Sequence, residues 1–224
     1  MRVAMTAKTR SNPEADLAFL RAIVEGGNNS GKAMLTMGVA YMAGGLLYGL
    51  QCLFHLGQIW GVIRWPALPT LAFVAFITLA FTAVMVWAVR EDRKQGVSAG
   101  PVVTRTMNAA FTGTGMVNLA VIIIFGVGSS RDQDFAVWLY YPAIVFAMQA
   151  AAWYVAWSLK KRPWMLATSA GGWATAVALG LLVRQPDIYM YVCTAALFLL
   201  FALPGWVMVR GALRARALDL KVAD

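Results

Sequence analysis

The chain has 224 residues, of which 60% are hydrophobic and 13% are charged, and its formal net charge is +9. A soluble domain has about 25% charged residues and an apolar fraction near one half, so one soluble core could not bury this much apolar surface. The only cysteines, Cys52 and Cys193, lie in separate apolar stretches and form neither a disulfide framework nor a CxxC metal motif. The composition excludes an ordinary soluble enzyme and predicts an integral membrane protein.

Residues 1–32 predict a cytoplasmic segment that contains a short amphipathic helix. Asn12 is a favourable N-cap, Pro13 suits the first helical position, and acidic residues follow in the first turn. One apolar face follows, formed by Leu17, Leu20, Ile23 and Val24. We expect the helix to end at Gly26 and Gly27 and to lie on the inner membrane surface. The segment has no apolar h-region, so we do not expect a cleavable signal peptide.

Residues 26–33 come close to the phosphate-binding P-loop pattern G-x-x-x-x-G-K-[ST], with Gly26, Gly31 and Lys32 in place. Ala33 replaces the hydroxyl that would ligate magnesium, and an apolar span follows where a soluble α/β domain is needed. We therefore expect a flexible linker here and no nucleotide binding.

Six apolar segments reach the length of about 20 residues that a membrane-spanning helix needs. They occupy residues 33–63, 67–89, 107–128, 136–158, 164–183 and 188–209, and residues 210–224 form a basic tail. Of the prolines, Pro142 and Pro204 lie within spans, and we expect Pro204 to kink the last helix. The sequence predicts an all-α fold of six transmembrane helices arranged as three hairpins.

Lys and Arg residues are divided very unevenly between the two ends of the predicted helices. Sixteen lie on the side of both termini, and only Arg64, Arg131 and Arg184 lie on the other. Because cytoplasmic loops carry the excess of basic residues, we expect an inner (plasma) membrane protein with both termini in the cytoplasm. The anionic inner leaflet is the expected partner of the basic side. Nucleic acid does not fit, because these residues are spread over four junctions without interleaved stacking aromatics.

Small residues recur at helical spacing in the first and fifth spans. They are Gly45 and Gly49, and Gly172, Ala176 and Gly180. Such stripes let helix backbones approach closely, and they fit packing within the bundle, a homo-oligomer interface, or contact with another membrane protein. Odd spans are rich in small residues and even spans end with an aromatic and a base, which fits either a triplicated hairpin or convergence.

The N-terminal helix contains the run Asp16-Leu17-Ala18-Phe19-Leu20-Arg21. Followed by a Gly-rich first span and five more spans, this run resembles a group of uncharacterised bacterial six-helix membrane proteins. The resemblance implies a six-helix architecture and a bacterial origin. It implies no site residue, because the group has no established activity.

None of the six spans contains an Asp, Glu, Lys or Arg. Proton relays, ion-coupled pumps and carriers of charged solutes keep such residues in the membrane, and a catalytic acid–base pair has no place here. The chain has one His, so bis-histidine haem is also excluded. We expect no cofactor, no metal site and no catalytic residue, and we expect that the protein is not an enzyme.

The remaining polar feature is a stripe on the first span. It consists of Tyr48, Gln51, Cys52, His55 and Gln58. Helical spacing puts these residues on one face, in the outer half of the membrane. The stripe fits a small pocket open to the periplasm, with His55 as a proton-sensitive or ligand-contacting group. It also fits interhelical hydrogen bonding, with Gln149 or Asn118 as partners.

Three functions remain open at this point. The first is a non-enzymatic membrane component, either regulatory or sensory, or an accessory subunit of a larger complex. The second is a small carrier or channel for an uncharged or lipidic solute that uses the stripe. The third, which the sequence supports least, is an enzyme that modifies lipid.

Overall fold

The computed structural model describes residues 13–94 and 102–223, with side chains over residues 34–94 and 102–218. In these ranges every regular element is a helix: α1 (Pro13–Ile59), α2 (Ala67–Lys94), α3 (Val102–Asp132), α4 (Phe135–Lys160), α5 (Pro163–Leu182), α6 (Pro186–Leu197), a π-helical segment (Phe198–Ala202) and α7 (Leu203–Ala223). Six helices of the described chain, counting α6 to α7 as one, are long and apolar enough to span a membrane. The predicted all-α membrane fold is confirmed.

The first helix differs from the prediction. α1 begins at Pro13 and continues without a break through Gly26 and Gly27, so the helix end and the flexible linker expected there are wrong. A glycine costs about 1 kcal/mol inside a helix but does not stop it unless it turns left-handed. At 47 residues α1 is about 70 Å long, more than twice the thickness of a hydrocarbon core. The Asn12 cap and the amphipathic face lie outside the residues or side chains that the structure describes.

The helices pack in an order that differs from their order in the chain. α1 packs against α2 on one side and, on another, along α6, the π-helical segment and α7. α5 packs between α6 and α4, and α3 packs against α4 at the periphery of the bundle. α2 and α3 follow each other in the chain but make no extensive contact with each other. α2 and α3 are therefore the peripheral helices of the bundle.

Glycines of α1 and α7 set the closest approach in the bundle. A Cβ at Gly205 would lie 2.7 Å from the Gly38 carbonyl oxygen, and a Cβ at Gly45 would lie 2.7 Å from the Leu197 carbonyl oxygen. A Cβ at Gly49 would lie 2.9 Å from the Phe198 ring. Two of the predicted packing residues, Gly45 and Gly49, thus face α6 and the π-helical segment, and the sequence analysis missed Gly38 and Gly205.

The predicted stripe on α5 divides into two parts. A Cβ at Gly172 would lie 2.8 Å from the Ala150 Cβ of α4, and Ala176 packs against the buried cluster between α4, α5 and α6. Ser169, which is fully buried, donates a hydrogen bond to the Ala150 carbonyl at 2.8 Å. Gly180 differs, because nothing lies within 4 Å of a Cβ built there. The contact between α4 and α5 therefore involves the inner part of the stripe only.

The predicted irregularity at Pro204 takes the form of a π turn. Proline has no N–H to donate to the preceding turn, and the five residues before Leu203 are π-helical. The Leu203 N–H donates to the Phe198 carbonyl, five residues earlier. The helix then continues to Ala223, so the basic tail that begins at Arg210 forms the end of α7.

The charged residues lie at the two ends of the bundle. Thr36, near the start of the α1 span, donates a hydrogen bond to Asp92 at the end of α2, so the basic ends of these helices meet. At the opposite end, Arg184 forms an ion pair with Asp134 at 3.2 Å, and Arg131 pairs with its neighbour Asp132. The side of the membrane that each end faces stays a prediction, as does the triplication of the hairpin.

Candidate functional site

The contacts of α1 show which way the predicted polar stripe faces. Gln58 lies on the flank that contacts α2, and Cys52 lies on the flank that contacts α6. Tyr41, Tyr48 and Gln51 lie between these flanks, which places them on the interior face of α1, opposite α3 and α4. The stripe therefore serves three different neighbours and is not one continuous pocket wall.

His55 and Gln58 belong to the junction of α1 with α2. His55 Nδ1 lies 3.0 Å from Gln58 Oε1, and Gln58 Nε2 donates to the Thr70 hydroxyl at 3.0 Å. That hydroxyl in turn donates to the Pro66 carbonyl at 3.0 Å. The hydrogen bonds of His55 and Gln58 therefore close the connection between the two helices. The partner expected from the sequence was Gln149 or Asn118, and the partner in the structure is Thr70.

The interior face of α1 carries a larger polar cluster than the sequence analysis identified. We call it the polar seam, and it consists of Tyr41, Tyr48, Gln51, Asn118, Tyr141 and Gln149. The Tyr41 hydroxyl donates to Gln149 Oε1, and the Tyr141 side chain lies beside that of Asn118. Tyr48 packs edge-on against Phe81 of α2 with 5.2 Å between ring centroids. The seam thus connects α1 with α3 and α4.

Tyr41 is the residue that the sequence analysis missed and that the structure makes central. Its ring stacks on Phe201 at 5.2 Å and meets Trp153 and Phe111 edge-on at 5.3 and 5.6 Å between centroids. Tyr41 lies two turns before Tyr48 on the same helical face, and this spacing was a signal that could have extended the stripe inward. Four helical elements therefore meet around one tyrosine ring.

Two buried oxygens of the seam lack a hydrogen-bond donor. Gln51 Oε1 and Asn118 Oδ1 are both shielded from solvent, and neither has a partner among the residues that the structure describes. An unpaired buried polar atom costs about 1–3 kcal/mol, so such atoms usually hold a water or a ligand. All six members of the seam are uncharged. The seam therefore suits a neutral group that donates hydrogen bonds.

Cys52 lies at the edge of the interior face and contacts Cys193, which is in a separate apolar stretch of the sequence. Its Sγ lies 3.9 Å from the Sγ of Cys193 on α6, which is buried. In the described part of the chain, no group of three or more His, Cys, Asp or Glu side chains could hold a metal ion. The pair is therefore a dithiol that no third side chain of these types accompanies.

Comparison of the chain with models of known protein families, with curated proteins and with solved structures finds no match. The fold and the side-chain geometry are therefore the basis for any statement about function. They establish an integral membrane protein of six spanning helices with a neutral polar seam in its interior.

Proposed function

We propose that this protein is a non-enzymatic component of the bacterial inner membrane that acts as a regulatory or accessory subunit and binds another membrane protein through α3. The observation that carries the proposal is an exposed face of small and polar residues on α3. Its small or polar members are Thr106, Ala109, Gly113 and Ala120, with the larger Met116 among them, and all five are exposed. α3 is also the least buried of the six candidate spans in the described residues.

The composition of this face fits a protein neighbour better than lipid. Large apolar side chains are exposed elsewhere on the periphery, as at Leu71 and Leu79 of α2. Small residues are enriched where helices approach each other within the membrane, because they allow close backbone contact. At Gly113 no atom of the described residues lies within 4 Å of a built Cβ. The face therefore has room for a helix from outside the described part of this chain.

Affinity purification from the native host in a mild detergent tests this proposal. We expect another membrane polypeptide to co-purify in a fixed ratio, and Gly113→Leu to remove it because the larger side chain holds the partner helix away. Gly180→Leu is the matched control, since it makes the same change at another open position, on α5. Retention of the partner by Gly113→Leu, or equal loss with both variants, contradicts the proposal. A second copy of this chain in place of another polypeptide points to a homo-oligomer.

A second candidate function rests on the unpaired oxygens of Gln51 and Asn118. These atoms support a small carrier or channel for an uncharged solute that donates hydrogen bonds to the seam. Purified protein in proteoliposomes should then show solute flux, and Gln51→Leu should abolish it. Leu50→Ala, on the exposed side of the same helix, should leave the flux unchanged. The absence of flux with the wild-type protein removes this candidate.

A further inference from the structure

The two cysteines of the chain meet inside the membrane although 141 residues separate them. Cys52 lies on α1 and Cys193 on α6, and their Sγ atoms are 3.9 Å apart. Cys193 is only 5% exposed, and Cys52 is half-buried. Both residues lie within membrane-spanning segments. Since the chain has only these two thiols, their contact is a specific pairing of α1 with α6.

The register between the two helices supports this pairing. Gly45 and Gly49 of α1 face Leu197 and Phe198. One turn after Gly49, Cys52 faces Cys193, which is the next position in the same antiparallel register. Near the outer end of the same helix pair, the Trp60 indole donates to the Tyr191 hydroxyl at 2.7 Å. Contacts on both sides of the thiols therefore hold the two backbones in place.

The distance between the two sulfurs allows a disulfide to form after a small movement of the side chains. A disulfide requires about 2.05 Å between sulfurs, so each Sγ must move by about 1 Å, which a small change of side-chain torsion supplies. A zinc site needs four ligands, and no third His, Cys, Asp or Glu completes a metal-binding group here among the described residues. A disulfide is also uncharged, as an apolar membrane interior requires.

We propose that Cys52 and Cys193 form a reversible intramolecular disulfide that joins α1 to α6, with a membrane-soluble quinone as the oxidant. The two thiols give up two protons and two electrons, one sulfur–sulfur bond forms, and the quinone becomes a quinol. A quinone is the fitting oxidant class because the thiols lie in the lipid-spanning region, where a soluble disulfide protein has no access. A small dithiol that can enter the membrane, such as dithiothreitol, reverses the step by thiol–disulfide exchange and is itself oxidised to a cyclic disulfide.

The bond would change how α1 moves relative to the rest of the bundle. α1 and α6 are far apart in the chain, and near the thiols they are held together by packing and by the Trp60–Tyr191 hydrogen bond. A covalent link one turn from the Gly49 contact would prevent separation of the two helices. The disulfide proposal rests on neither the α3 face nor the polar seam. A negative result for either of those proposals therefore leaves the disulfide proposal intact, and the reverse also holds.

The test uses the full chain in lipid nanodiscs with a short-chain ubiquinone. We expect the free thiols, counted by maleimide labelling after denaturation in SDS, to fall from two per chain to near zero. Intact mass spectrometry should show the loss of two hydrogens, one quinol should form per chain, and dithiothreitol should restore both thiols. Cys52→Ser and Cys193→Ser are the controls, and in each the remaining thiol should stay free.

Three results would overturn the proposal. One is that both wild-type thiols remain free under oxidation that consumes an exposed dithiol peptide in the same nanodiscs. Another is that the oxidised product is a cross-link between two chains, seen as a dimer on a non-reducing gel. The third is an increase in mass by one quinone, which shows an adduct instead of a disulfide. If a serine variant does not fold, Cys52→Ala serves as the same control.

Discussion

Gly205 shows how a single residue determines the distance between two helices. Its Cα faces the backbone of α1, where a Cβ would lie 2.7 Å from the Gly38 carbonyl oxygen and 2.8 Å from the Met42 Cα. Backbone atoms cannot move aside as the end of a flexible side chain can, so any larger residue must push α1 and α7 apart.

We therefore expect Gly205→Val to lower the free energy of unfolding by about 3 kcal/mol or more. Gly115→Val is the matched control, because nothing lies within 4 Å of a Cβ built at Gly115, on α3. The measurement is the unfolding midpoint in mixed micelles titrated with SDS. Equal midpoints for the two variants would show that the close crossing does not exist in solution.

Ser169 provides a second test at the scale of one side chain. Its buried hydroxyl donates across the α4–α5 contact to the Ala150 carbonyl, and such interhelical bonds in membranes are worth about 0.6–1.7 kcal/mol. Ser169→Ala should lower the free energy of unfolding by that amount. Ser158→Ala should have almost no effect, since the Ser158 hydroxyl bonds within its own helix and is exposed. A larger loss with Ser158→Ala would contradict the assignment.

Single residues also show what the sequence could and could not predict about the site. Helical spacing placed five polar residues on one face of α1, and this requires only the 3.6-residue repeat. Spacing does not say which helix lies opposite each residue. Tyr48 packs both on Phe81 of α2 and on the buried cluster between α4, α5 and α6. Gln58 bonds to α2 and Cys52 contacts α6, although all three residues belong to one stripe. The pairing of Cys52 with Cys193 depends on helix order, which the sequence alone does not contain.

Among the elements, the junction of α1 and α2 depends on one hydroxyl. The Thr70 hydroxyl accepts from Gln58 and donates to Pro66, so it closes the connection that contains the exposed Arg64. Thr70→Val keeps the shape of the side chain but leaves the Gln58 amide without its acceptor. The closed form of the connection should lose about 1 kcal/mol of stabilisation, which raises the population of the open form about fivefold.

The rate of trypsin cleavage after Arg64 measures this opening in detergent solution. We expect Thr70→Val to be cut several times faster than the wild-type protein. Thr82→Val is the control, because the Thr82 hydroxyl bonds only to the Thr78 carbonyl of its own helix, and its cleavage rate should be unchanged. Cleavage at the same rate in both variants would mean that the Gln58–Thr70 contact does not hold the junction.

Whole elements were predicted better than their ends. Apolar length alone located all six spans, because a stretch of about 20 apolar residues has no other stable place. The predicted end of the short amphipathic helix at Gly26 and Gly27 was wrong, because glycine lowers helix stability without preventing a helix from forming. Pro204 indicated an irregular last span, but proline does not determine whether the helix bends or forms the π turn found at Phe198–Ala202.

At the scale of the whole molecule, the proposed orientation is directly testable. The excess of basic residues on one side predicts that both termini face the cytoplasm. In a bacterial host, green fluorescent protein fused to the C-terminus should therefore fluoresce, and alkaline phosphatase at the same position should be inactive. Phosphatase fused after Arg184, in the connection between α5 and α6, should be active. The reverse pattern would place the basic end outside.

The π turn in the last span also determines which side of α6 and α7 reaches α1. Each α-helical residue advances by 100°, so on an unbroken helix Cys193 and Gly205, twelve positions apart, would point about 120° away from each other. One extra residue taken up by a π turn reduces the angle to about 20°. Both residues contact α1 in the structure. The extra residue thus adjusts the phase of the helix: removing Leu199 would leave eleven α-helical steps, again about 20°, and so restore a regular α-helix while α7 keeps its face towards α1.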